Sequence, residues 1–227
     1  MNRGFATTVV ALILVLLVAG CGGQSSGNQG SSAAPTSPPL TAGTHTSAQF
    51  QPTVSYTVPD GWTNPQDTPA YLELFPVQND SNGIHIFHNP QALSQASDCP
   101  TSAQPGVGTS SVELVAWIRS IKGFAVSPPA LATIGGLPAT SIDVAIAQGW
   151  TQSCSFAGGL PTVPLFFGRE TSLRWVVADK ERLRLYLVDV PGNGTVVVDV
   201  DSFDGAGFTG LLAAAAPIVK SITFAAP

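Results

Sequence analysis

The chain has 227 residues, a formal net charge of −5 and only 10% charged residues, with 23 Gly and 19 Pro. An acidic chain with nine Lys and Arg lacks the basic footprint that nucleic acid requires, and it offers anionic lipid no electrostatic attraction. The same composition favours strands and turns, with few helices.

Met1-Asn2-Arg3 carries a positive charge, the residues up to Val18 are apolar or small, and Ala19-Gly20 leads directly into Cys21. This is the order of a secretory signal, predicted to occupy residues 1–20. The apolar run Val9–Val18 is shorter than the ~20 residues a membrane-spanning helix needs. Val18-Ala19-Gly20-Cys21 resembles the lipobox of bacterial lipoproteins. The resemblance implies a signal cut before Cys21 and a diacylated, palmitate-bearing thiol. Each buried methylene contributes ~0.8 kcal/mol, and two chains hold stably where one holds only marginally. The implied partner is therefore the membrane, reached through Cys21, and the implied address is the outer face of the bacterial cell membrane. Loss of Arg3 would take the formal charge to about −6.

Residues 21–49 are predicted to be the acylated cysteine and a disordered tether. Gly22–Gln49 is dominated by Gly, Ser, Thr, Gln, Asn, Ala and Pro and has no formal charge apart from His45. Such a segment buries too little apolar surface to offset its ordering entropy. As flexible coil it would span ~30 Å, stiffened at Pro35, Pro38 and Pro39.

Residues 50–227 are the size of one domain with a sizeable core. Val54–Val58 alternates apolar and polar, the period of a half-buried strand, and Pro59-Asp60-Gly61-Trp62 turns the chain. Tyr71–Phe75 and Ile84–His88 are the next strands. Ser110 and Glu113 form a capping box for a helix over about 111–122, in which Leu114, Trp117, Ile118 and Ile121 repeat at helical spacing. Leu131–Ile134 and Thr140–Ile146 flank a Gly135-Gly136 turn. A terminal meander follows: Leu173–Ala178, Leu183–Val190 and Thr195–Asp201, then a helix over Phe208–Lys220 interrupted by Pro217, then a short strand Ser221–Phe224. Strands around a few helices without βαβ alternation define an α+β fold, a single domain whose antiparallel sheet packs against a few helices.

Val58-Pro59-Asp60-Gly61-Trp62, Ile134-Gly135-Gly136-Leu137-Pro138 and the terminal Ile218–Phe224 together resemble the PsbP-like fold, which some mycobacterial Lpq lipoproteins also carry. The resemblance implies an antiparallel sheet sandwiched by helices, and a binding or assembly role without a catalytic motif. The stretch between Val144 and Leu173 stands outside this pattern.

With the Cys21 thiol acylated, Cys99 and Cys154 remain, in Ser-, Pro- and Gly-rich loops of an oxidising compartment, and a disulfide is expected. Closing about 56 residues would contribute roughly 4 kcal/mol in the chain-entropy model. His85 and His88 lie three apart on a strand and therefore face opposite sides, which prevents joint chelation of one ion unless the strand is bulged. Asp199, Asp201 and Asp204 lack the acidic twelfth position of an EF-hand and are expected to be solvated sheet-face charges. Asn193-Gly194-Thr195 matches a glycosylation sequon but is foremost a turn signal. No hydrolase elbow, phosphate loop or zincin motif is present, and no cofactor or metal ligand set is expected.

Three further expectations concern geometry. A four-residue loop Pro191–Gly194 would place Arg184 opposite Asp201 and Tyr186 opposite Asp199 on a salt-bridged, solvated face. Leu183, Leu185 and Leu187 would share an apolar face with Val196, Val198 and Val200, filling the interior against both helices. Binding would then fall on exposed loops around Trp62 or Trp150. The function these residues suggest is an envelope lipoprotein with a non-catalytic binding or interaction domain. A lipid or small-molecule carrier and a hydrolase with an unrecognised site are the alternatives.

Overall fold

A computed structural model of the protein describes residues 37–77, 79, 81–168 and 173–225. The expected signal peptide 1–20, Cys21 and residues 22–36 of the expected tether lie outside the described residues. The folded part begins before Phe50: Gly43–Thr46 is a strand (β1) antiparallel to Val54–Val58 (β2), so this end of the expected tether belongs to the domain.

Among the described residues three sheets form, all by antiparallel pairing. The central one runs in the order Trp62–Thr63 (β3), Tyr71–Pro76 (β4), Asn82–His88 (β5), then β13, β12, β9 and β7. Here Phe124–Val126 is β7, Leu137–Ile146 is β9, Arg182–Val190 is β12 and Gly194–Ser202 is β13, while Ala130–Ile134 (β8) pairs with β9. The second sheet joins β1 and β2 to Thr223–Phe224 (β14). The third joins Gln91–Ala92 (β6), Thr162–Gly168 (β10) and Leu173–Ala178 (β11). The segment after Val144 thus supplies β10, which pairs with β6 and with β11, so Leu173–Ala178 is a strand as expected but belongs to this sheet and not to a meander with β12.

Both faces of the central sheet are covered, as the resemblance implied. Ser111–Ser120 (α1) begins at the expected capping box, with Ser110 Oγ accepting from the Glu113 amide and the Glu113 carboxylate accepting from the Ser110 amide. Phe208–Ser221 (α2) runs through Pro217 without ending. One core lies under α2 and the β1–β2–β14 sheet and gathers Val188, Val190, Val196, Val198 and Val200 with Leu211, Ala215 and Ile218. The other lies under α1 and the β6–β10–β11 sheet and gathers Leu183, Leu185, Leu187 and Val197 with Leu114, Trp117 and Ile118. The space between meander and helices is filled by these side chains.

The hairpin register differs from the expected one. Val190 pairs with Gly194, so only Pro191–Asn193 turn, and Gly194 at φ +78° ends the loop in the left-handed region. A one-residue slip exchanges the faces. Leu183 therefore faces Asp201 and Leu185 faces Asp199, while Arg184 and Tyr186 face Val200 and Val198. The leucines do not share a face with Val196, Val198 and Val200. Arg184 finds its partner on β9, in a two-pronged bond to Asp143 at 2.6 and 2.8 Å.

Candidate functional site: a buried carboxylate cluster under Trp175

The slip puts two aspartates into the interior. On β13 the residues Val197, Asp199 and Asp201 point to the α1 side, and their neighbours in register complete a row across four strands: Glu73 of β4, His85 of β5, Asp199 of β13 and Leu185 of β12. Asp199 is 0% exposed, His85 3%, and Asp201 and Glu181 4% each. These are not solvated charges; the expectation fails because both faces of the sheet are covered. Asp204, beyond the strand, stays outside the cluster and accepts from the Ala206 amide.

Tyr71 organises one end. Its hydroxyl donates to Glu73 Oε1 at 2.6 Å and lies 2.7 Å from His85 Nδ1. With its single proton on Glu73, the hydroxyl accepts from Nδ1–H. His85 Nε2 is then bare and faces Asp201 Oδ2 at 3.8 Å. Burial lowers the His85 pKa to about 3, so the ring is neutral and neither nearby carboxylate forms an ion pair with it. Burial raises Glu73 and, with the neighbouring carboxylates, raises Tyr71.

At the other end Glu181 Oε2 accepts from the Ala178 amide at 2.7 Å, and its carboxyl meets that of Asp201. Burial raises Glu181 to about 7. Burial first, then repulsion from Glu181 and Asp199, raises Asp201 to about 10. Asp199 is likewise raised by burial and by Glu181. Carboxyls in contact in a dry site cannot all ionise, so protons are retained among them at neutral pH.

Hydrogen bonding is incomplete here. Among the described residues, the buried side-chain polar atoms without a partner are Trp175 Nε1, both carboxylate oxygens of Asp199 and Asp201 Oδ1. All belong to this one cluster. Unsatisfied buried polar groups are rare and each demands an explanation.

The cluster opens to solvent through a pocket of about 470 Å³ lined by Glu73, Phe75, His85, Trp175, Glu181 and Asp201, with Phe156, Arg174 and Phe203 at its mouth. Trp175 of β11 packs at a tilt against His85, ring centres 4.5 Å apart, and Phe75 meets His85 edge-on at 5.3 Å. Gly83, opposite Asp201, has no substitute, because a Cβ there would collide with the Phe75 ring. The Cys99–Cys154 disulfide joins the loops beside the mouth. Cys154 leads into a 3₁₀ turn, Ser155–Ala157, that presents Phe156, and Arg174 lies 3.9 Å over the Phe156 ring while donating to the Cys99 carbonyl at 3.2 Å.

A larger cleft of about 640 Å³ lies between the end of α1, the disulfide and Trp150. Trp150 is half-buried over Gly123 and donates its Nε1–H to the Thr162 carbonyl at 3.0 Å. Trp62, the other expected binding residue, is 4% exposed in the α2 core and lines neither opening. His88 faces away from His85 and meets the Asn193 carbonyl at 2.7 Å, next to Phe50.

The sequence reasoning missed the carboxylate cluster. The signal that could have found it is Val197-x-Asp199-x-Asp201 in phase with three buried leucines, which becomes legible only in the correct register.

No family model matches the chain, and no curated protein matches it. Solved structures similar in fold include LpqN of Mycobacterium tuberculosis, described as involved in cell envelope biogenesis, at 16% identity and TM-score 0.40, covering 76% of this chain and 83% of that one. The cyanobacterial PsbP of Synechocystis sp. PCC 6803 is similar at 6% identity and TM-score 0.41, covering 82% and 95%. A Bacteroides thetaiotaomicron VPI-5482 protein is similar at 10% identity and TM-score 0.37; 76% of this chain spans 45% of that chain, less than half its length.

Proposed function

We propose that this chain is an exported lipoprotein, tethered through diacylated Cys21 to the outer face of the cell membrane, whose domain binds a ligand without transforming it. The ligand site is the pocket under Trp175. The observation that carries this reading is that, among the described residues, the unpartnered buried polar atoms fall on Trp175 and Asp201 of the pocket wall and on Asp199 directly behind it. A fold that leaves buried carboxyl oxygens without partners loses stability, and a ligand bound at the pocket wall offsets that loss. The anchor reading rests on Val18–Cys21, and none of the described helices is long and apolar enough to cross a membrane. Native mass spectrometry of the full chain purified in detergent tests the binding reading: a co-purified small molecule is expected, and its loss in Asp201→Asn locates it. Detergent partitioning tests the anchor, with Cys21→Ala expected to move to the aqueous phase or to remain unprocessed.

One observation favours a hydrolase as the second reading. Glu181, raised to about 7, shares a pocket with a more strongly protonated Asp201, which supplies an acid and a base of different strength. Turnover of ester, peptide or glycoside substrates that disappears in Glu181→Gln would put that reading first.

A further inference from the structure

Resting on the reading of this pocket as a ligand site, we propose that its ligand is an organic cation, a protonated amine carried on an apolar body. Glu73, Glu181 and Asp201 line the pocket and Asp199 lies in the cluster behind them. The groups facing these acids are Tyr71 and Glu73 from β4, neutral His85 from β5, Asp199 from β13 and Glu181 from the turn before β12. Arg174, from β11, is the cation at the mouth, where it is held by the Cys99 carbonyl and the Phe156 ring. One guanidinium against four carboxyls leaves the site acceptor-rich and short of positive charge.

The walls specify the rest of the ligand. Phe75, Phe156, Trp175 and Phe203 bring aromatic faces to the same pocket, and a cation is attracted to such faces while its hydrocarbon body packs on them. Phe156 is 50% and Phe203 52% exposed, apolar surface left at the mouth for that body. A bare metal ion fits worse: among the described residues no three His, Cys, Asp or Glu are placed to hold one. An ammonium group has three N–H donors for the carboxyls of Glu73, Glu181 and Asp201 that line the pocket. On binding, a carboxyl proton passes to solvent and a carboxylate–ammonium pair takes its place. Affinity therefore rises with pH until the amine itself loses its proton.

The test uses three probes of one shape, 2-phenylethylamine, 2-phenylethanol and 3-phenylpropionate, with Ca²⁺, Mg²⁺ and Zn²⁺ alone as further arms. Each is titrated into the full chain in neutral detergent while the indole N–H resonance of Trp175 is followed, assigned through Trp175→Phe. The amine is expected to shift that resonance with affinity at least about tenfold above the alcohol at pH 7.5, and to weaken at pH 5. Asp201→Asn, and separately Glu181→Gln, are expected to lose about tenfold while keeping the circular dichroism of the parent. Saturation by the alcohol or the carboxylate as tightly as by the amine overturns the amine assignment and leaves the pocket reading standing. Saturation by a metal ion alone overturns it in favour of an inorganic cation. A Trp175 signal that no probe moves overturns both.

Discussion

The two faces of the β12–β13 hairpin obey one alternation and reach opposite ends. Beneath α2, Val188, Val190, Val196, Val198 and Val200 meet Leu211, Ala215 and Ile218. On the other face the apolar series Leu183, Leu185, Leu187 and Val197 gives way to Asp199 and Asp201, equally buried and only partly hydrogen-bonded. Spacing does not distinguish them; the cover does. A helix supplies aliphatic knobs to the first face, whereas β11 supplies Trp175 to the second and leaves an opening beside it. The first face holds the fold together and the second weakens it, which is the pattern expected where function overrides stability.

The disulfide gives the largest expected effect on this contrast, because it fastens loops on the acid side. Reducing the Cys99–Cys154 link, 55 residues apart in sequence, or replacing both cysteines by alanine, removes roughly 4 kcal/mol. Thermal unfolding should fall by about 10 °C. Hydrogen exchange should accelerate in β10 and β11 more than in α2, and uniform acceleration would deny the division.

Next comes the apolar face. Ile218→Ala empties a fully buried site in α2 and should remove about 3 kcal/mol in denaturant titration. The Trp175 pocket should keep its ligand affinity, since Ile218 belongs to the other core. The acid face should respond with the opposite sign. Asp199→Val, which replaces an unpartnered buried carboxyl by a residue its strand neighbours already use, should add about 2 kcal/mol. A destabilised Asp199→Val would mean that Asp199 has partners its geometry does not suggest. The smallest effect belongs to the Arg184–Asp143 pair, whose side chains are about one-third exposed. Arg184→Ala should cost about 1 kcal/mol or less despite its two short bonds.

What the sequence disclosed follows the range of the interactions involved. The capping box at Ser110 and Glu113 is local, and α1 starts there. Strand alternation is also local, and Val54–Val58 and Leu173–Ala178 have the expected bounds. The hairpin register depended on whether Gly194 turns or pairs, and its left-handed backbone is compatible with both. That single ambiguity moved Asp199 and Asp201 between solvent and core. The β6–β10–β11 sheet was hidden for another reason: β6 and β10 are brought together across some seventy residues, a tertiary event that no local pattern records. Trp62 looked available for binding because a turn precedes it, yet the α2 core covers it.

The central claim, that the acid cluster is buried at a net loss of stability, is tested most directly by the pH dependence of unfolding. Glu181 is raised to about 7 and Asp201 to about 10, so the folded chain holds protons that the unfolded chain releases near pH 4. Stability from these groups is complete below about pH 4 and is lost as pH climbs through 7 and towards 10. The ligand-free chain should therefore unfold at steadily lower temperature between pH 5 and pH 9, and Asp199→Asn/Asp201→Asn/Glu181→Gln should flatten that decline. A Tm that is level or rising across the same interval, or a decline that survives in the triple variant, would contradict it.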